Sequence, residues 1–228
     1  MENVQETYSE FHKAHHSGHT YPTEWVIRTM LGKYPHLNLD KSKYEGAKLL
    51  DLGFGDCRNM PLFRNCNFDI HGVEISDDII SLARAKLDDM KIPATLRKGT
   101  SSSIPFPDVF FDYVVACHSC YYVDGGSSFD DNLREVARVL KPGGVFVASL
   151  VAPGTFILKD CRRLADGHVV ITNDIYGLRN GYIFRVFEDE ADVRSTFSRL
   201  FKDLAVSHWS DDAWGVQVNF FAIACERS

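Results

Sequence analysis

Residues 48–56 read KLLDLGFGD. Leu49, Leu50 and Leu52 form a short apolar run around Asp51, and Gly53-Phe54-Gly55 follows at once. A strand running into a Gly-x-Gly bend and then a helix is how an α/β sheet presents a nucleotide-sized ligand. The glycines let the backbone turn tightly and approach the ligand without a Cβ in the way. The following helix is expected to offer unpaired N–H groups and the positive end of its dipole. A second acid, Glu74, stands 23 positions after Asp51 at the end of another apolar run, where it can accept hydrogen bonds from a ribose diol. His118 follows a third apolar run, 110–117, with the pKa range of a general base.

The elements that must position these residues alternate. Strands are expected at 47–52, 70–75, 94–97, 110–117 and 145–150. Between them, helices are expected at 58–66, at 77–90 behind the N-cap Ser76, and from Ser128 or Asp130 through Leu140. The run Lys141-Pro142-Gly143-Gly144 stops the last of these. Alternation of this kind predicts a parallel sheet covered on both faces. Ahead of it, helices are expected at 4–15 and, opened by Pro22, through Leu31, with 33–46 as a loop. Past residue 150 the rhythm breaks. Two strand-like runs, 168–172 and 182–187, are expected to pair as a ribbon above the strand ends. A helix at 190–201 and an antiparallel pair at 204–210 and 215–225 complete the chain.

Four features in register (Asp51-x-Gly53-x-Gly55, Glu74, Asp112-Tyr-Val-Val-Ala, and Glu135 through Gly144) resemble the class I S-adenosylmethionine-dependent methyltransferases, in their small-molecule branch. The resemblance is specific over 47–150 and agrees topologically over 190–228. It implies an α/β, Rossmann-like, doubly wound sheet of seven mostly parallel strands with an antiparallel last strand and helices on both faces. It also implies S-adenosyl-L-methionine as cofactor, with S-adenosyl-L-homocysteine as product. Gly53 and Gly55 would line the methionine moiety, and Asp51 would fix the loop and the cofactor amine. Glu74 would take the ribose hydroxyls, Ile75 would pack on adenine, and Thr100, Ser101 and Ser102 would flank the base. His118 would lie near the transferable methyl. Two departures stand out: Cys57 replaces a third glycine, and Thr100 replaces an acid that commonly contacts the adenine amino group.

For the acceptor side, Tyr21, Trp25, Tyr122, Arg179 and Trp214 are the expected contacts. Residues 1–46 are read as a helical lid, and 47–228 as the cofactor-binding domain, its insertion 151–187 lying over the acceptor pocket. Aromatic faces suit a sulfonium, and arginines in the insertion (Arg162, Arg163, Arg179, Arg185) suit a carboxylate, phosphate or sugar acid. His118 either acts as base or only shapes the wall, and the latter is preferred. The histidines at 12, 15, 16 and 19 lack acidic or cysteine companions, so no metal is expected. Cys117-x-x-Cys120 reads as packing at a buried strand end.

The chain has 228 residues, a net charge of −6, 45% hydrophobic residues and 25% charged ones, which describes one α/β domain without a broad nucleic-acid footprint. A base-methylating enzyme would carry Asn or Asp, two prolines and an aromatic after the 110–117 strand; Cys117-His118-Ser119-Cys120 stands there instead. No membrane span is expected, a homodimer is left open, and six scattered cysteines point to the reducing cytoplasm. The expected function is methyl transfer to a small amine, hydroxyl or sugar. The alternatives are a nicotinamide-dependent oxidoreductase, weakened by Arg58 at the place of the last glycine of Gly-x-Gly-x-x-Gly, and a non-catalytic relative that only binds the cofactor.

Overall fold

The computed structural model describes residues 20–228. The expected helix at 4–15 and the four N-terminal histidines lie outside the described residues. Helix α1 (Glu24–Leu31) is entered from an extended Thr23 and ends at Gly32. It buries Trp25, Val26 and Met30 against the sheet, and the Met30 carbonyl accepts a hydrogen bond from the Tyr44 hydroxyl at 3.0 Å.

The central sheet has seven strands in the order β10-β11-β6-β4-β1-β2-β3. These are β1 (Lys48–Leu52), β2 (Asp69–Glu74), β3 (Thr95–Lys98), β4 (Phe111–Ala116), β6 (Leu140–Val151), β10 (Phe201–Ala213) and β11 (Val216–Arg227). The first five run parallel, and β11 lies antiparallel between β6 and β10. Strand β1 is central and almost wholly buried, as its Leu49-Leu50-x-Leu52 run requires. Helices α2 (Met60–Asn65), α3 (Asp77–Asp89), α4 (Phe129–Val139) and α5 (Glu190–Phe197) complete the layers. A reciprocal cap opens α4: the Ser128 hydroxyl accepts from the Asp131 N–H, and the Asp131 carboxylate accepts from the Ser128 N–H.

Three departures from the sequence expectation bear on the site. Helix α2 starts at Met60, with Pro61 in its first turn, because 56–59 forms a loop of its own. Four residues therefore separate its first turn from Gly55. Pro142-Gly143-Gly144 falls inside β6, where the register with β4 slips between Phe111 and Tyr113 and leaves 141–144 as a bulge. The ribbon is larger than expected: β5 (Tyr122–Val123), β7 (Cys161–Arg163), β8 (His168–Ile171) and β9 (Ile183–Arg185) form a second, antiparallel sheet in the order β5-β9-β8-β7. Tyr122 pairs with Phe184, which ties this sheet to the loop after β4. No helix among the described residues is long and apolar enough to cross a membrane.

Candidate active site

A cavity of about 540 Å³ opens at the carboxyl ends of β1, β2 and β4, where parallel sheets of this kind take ligands. Its first wall is the glycine bend. Gly53 sits at φ +70°, and a Cβ there would stand 2.5 Å from the Ser119 Cβ, so the bend closes against the loop after β4 only without a side chain. The Ser119 hydroxyl donates to the Leu52 carbonyl and locks the two together. Cys57, the residue in place of a third glycine, is buried and itself left-handed at φ +55°. The conformation persists without the glycine, its strain held by surrounding packing.

Glu74 ends β2 and is buried on the cavity wall. Its carboxylate accepts the Gly55 N–H at 2.9 Å on one oxygen and the Ile75 N–H at 2.8 Å on the other. Burial raises its pKa, while these two N–H bonds oppose the rise. Each oxygen retains a further lone pair. The carboxylate thus fixes the bend and still has acceptor capacity for a diol.

Asp51 is buried in β1, does not reach the cavity wall, and neither carboxylate oxygen has a partner among the described residues. Burial first, then the charges of Glu74 and Asp56, push its pKa up to about 8. An unpaired buried carboxylate is costly, and a cation placed nearby would lower that cost.

Thr100, Ser101 and Ile75 line the cavity; Ser102 does not, which corrects its placement at the base. The Ser102 hydroxyl donates instead to Asp124 at 2.6 Å and lies 3.1 Å from the Thr100 hydroxyl. Asp124 itself lines the cavity. An acid is therefore present beside Thr100, supplied by the loop after β5. No local motif announces it, and sequence reasoning missed it.

His118 follows β4 with φ +56° and lines the cavity. Its Nδ1 lies 3.1 Å from the Ser149 hydroxyl, and its Nε2 accepts the Trp25 indole N–H at 3.3 Å. That bond occupies the imidazole lone pair. Burial, reinforced by the positive charges of Arg179 and Arg58, brings the pKa down to about 4. A histidine so placed stays neutral and has no free site for a proton, so the geometry argues against its use as a base.

Among the expected acceptor contacts, Tyr122 and Arg179 line the cavity. Trp25 is buried one layer back, holding His118 and packing on Phe220. Tyr21 and Trp214 are corrected: both are strongly exposed and off the cavity, Trp214 at the tip of the β10–β11 hairpin. Position in sequence beside a turn told nothing of which way those rings face. Thr23, Arg58, Asn59 and Tyr182 also line the wall and were not foreseen. Asn59 accepts the Thr23 N–H at 2.9 Å, which fastens the start of α1 to the rim.

A protein-family profile described as a methyltransferase domain matches residues 50–148, the span that holds the glycine bend, Glu74 and β4. Residues 50–148 are thus a methyltransferase domain, of the S-adenosylmethionine-dependent class I kind that the four sequence features resemble. S-adenosylmethionine is therefore its cofactor. Two relatives are the fatty-acid O-methyltransferase of Mycolicibacterium smegmatis (30% identical, covering 58% of this chain and 47% of that protein) and the ubiquinone biosynthesis O-methyltransferase of Paramagnetospirillum magneticum (30%, covering 50% and 45%). The chain spans about half or less of the length of these and other curated relatives. A solved S-adenosylmethionine-dependent methyltransferase from Methanosarcina mazei superposes with a TM-score of 0.62 at 20% identity, over 86% of this chain and 99% of that one, a likeness of fold.

Proposed function

We propose that this methyltransferase transfers a methyl group to an amine, hydroxyl or sugar oxygen of a small molecule. The observation that carries the reading is a single cavity with one wall from the glycine bend and Glu74 and the other from the second sheet. That enclosure suits a compact acceptor better than a polymer chain. The cofactor supplies a methyl already activated on a positively charged sulfur. In-line attack forms the bond from nucleophile to methyl carbon, the carbon–sulfur pair stays on sulfur, and the acceptor's proton leaves to solvent.

This chain's residues contribute holding and shielding. Glu74 would accept from the ribose hydroxyls while keeping the bend in place. Asp51, the orphaned carboxylate behind the bend, would favour the cationic methionine end through its charge without lining the cavity. Asp124 would stand in for the acid absent at position 100 and accept from the adenine amino group, while Thr100, Ser101 and Ile75 flank the ring. Residues 20–46 and 151–187 would exclude bulk water, the first through Thr23 and the second through Arg179 and Tyr182, with Tyr122 of β5 beside them. His118 shapes the wall, and no dedicated base is assigned. Six free cysteines suit the cytoplasm, with burial pushing the Cys117 thiol up to about 11 and Cys120 up to about 12.

The test is turnover. Protein is incubated with methyl-labelled S-adenosylmethionine and a panel of small amines, phenols, hydroxy acids and sugars. The expected result is label in one acceptor class with matching release of S-adenosylhomocysteine. Cofactor binding without label transfer to any class would favour a non-catalytic binder.

A further inference from the structure

On the cavity wall formed by the second sheet, one charged group has more donors than partners. Arg179 lies in the loop between β8 and β9 and lines the cavity, its side chain 27% exposed. Its Nε donates to the Tyr122 hydroxyl at 3.1 Å, and its Nη1 donates to Asp174 at 3.2 Å. A guanidinium carries five N–H groups. No other partner for them occurs among the described residues, which leaves Nη2 and one N–H of Nη1 available.

Asp174 is fully buried, and much of its charge is already engaged. Its oxygens accept the backbone N–H groups of Tyr176, Leu178 and Arg179, and the Asp174 N–H donates to the Asn180 side chain at 2.7 Å. The loop is thereby folded around a carboxylate that grips Arg179 by one corner. Tyr122 grips it by another. An arginine taken partly out of water, braced on two sides and left with an unused pair of donors on a cavity, is the arrangement that recognises a planar oxyanion. Tyr122, whose hydroxyl takes only Nε, Tyr182 and uncharged His118 stay neutral beside it, while the cavity carboxylates reach these tyrosines only through space, Glu74 both of them and Asp124 the second.

We propose that Arg179 binds a carboxylate of the methyl acceptor, so that the substrates are small acids bearing the amine or hydroxyl to be methylated. This rests on the methyltransferase reading. It also separates the two carboxylates that enter the cavity, assigning Arg179 to the acceptor and not to the methionine end of the cofactor.

The experiment uses the chain saturated with S-adenosylhomocysteine. Matched pairs are titrated by calorimetry and thermal shift: 4-hydroxybenzoate with 4-hydroxybenzamide, anthranilate with anthranilamide, sarcosine with sarcosinamide, galacturonate with galactose. The expected result is at least one pair in which the acid binds about tenfold or more tightly than its neutral twin. Arg179→Gln should abolish that preference and leave S-adenosylhomocysteine affinity within about threefold. Arg179→Lys, which keeps the charge without the fork, should weaken it partially. Absence of an acid preference in every pair would overturn the proposal, as would its survival in Arg179→Gln. So would a tenfold or greater loss of S-adenosylhomocysteine affinity in that variant, which would assign the arginine to the cofactor. Failure of the unaltered chain to bind S-adenosylhomocysteine would instead remove the methyltransferase reading beneath it.

Discussion

The wall that carries Glu74 and the wall that carries Arg179 face the same cavity but are assembled differently. The first comes from two adjacent parallel strands and the bend between β1 and α2, all within Lys48–Glu74, and a carboxylate-to-backbone bond joins the two strands' ends. The second is gathered from the loop after β4, from β5, and from a loop more than 50 residues further along. One is a local device of the parallel sheet; the other depends on a second sheet folding back over the strand ends. Chemistry shared by many proteins can sit on the first, while the second is free to vary with the acceptor.

The largest expected effect breaks the first wall. Gly53→Val puts a branched side chain at φ +70° and against the Ser119 Cβ. It should cost roughly 3 kcal/mol or more of folding stability and abolish measurable S-adenosylhomocysteine binding. A well-folded Gly53→Val protein that still binds would show that the bend does not approach the ligand. Next, Glu74→Ala should weaken S-adenosylhomocysteine by about 1–3 kcal/mol, read by calorimetry, since a charged acceptor is lost from the diol. Unchanged affinity in a folded variant would remove Glu74 from the site.

Asp51 sharpens the contrast through pH. In the folded chain it keeps its proton up to about pH 8, whereas unfolded it ionises near 3.8. Between those values the folded state binds the extra proton, so stability falls as pH rises from about 4 to about 8. Asp51→Asn should flatten that slope and raise the melting temperature at pH 8 by roughly 2–6 °C without cofactor. It should also weaken cofactor binding. An unchanged slope would place the ionisation elsewhere.

The smallest effect is expected at His118. With its lone pair bound to Trp25 and its pKa near 4, His118→Gln should retain at least about a tenth of turnover. The pH–rate profile of the unaltered chain should show no inflection from His118 between pH 6 and 7.5. A loss of about 1000-fold with normal cofactor affinity would restore the base role.

The same division explains what the residues disclosed before any coordinates. Strand-end positions are fixed by hydrophobic runs of known length, so Gly53, Gly55, Glu74 and Ile75 could be placed by counting. Asp124 could not, because its partner Ser102 is 22 positions away and neither sits in a motif. Arg179 stands among the expected acceptor contacts, yet the reason that separates it from Arg162, Arg163 and Arg185 lies in the loop that closes on Asp174 and Tyr122. Trp214 shows the converse error: a large aromatic beside a turn suggests a pocket wall, yet the hairpin points it into solvent.

The most direct test of the central claim is calorimetric titration of the unaltered chain with S-adenosylhomocysteine, with NAD as comparison. One site per chain with a Kd on the order of micromolar, and no heat from NAD, is the expected result. Binding of NAD alone, or of neither ligand, would contradict it.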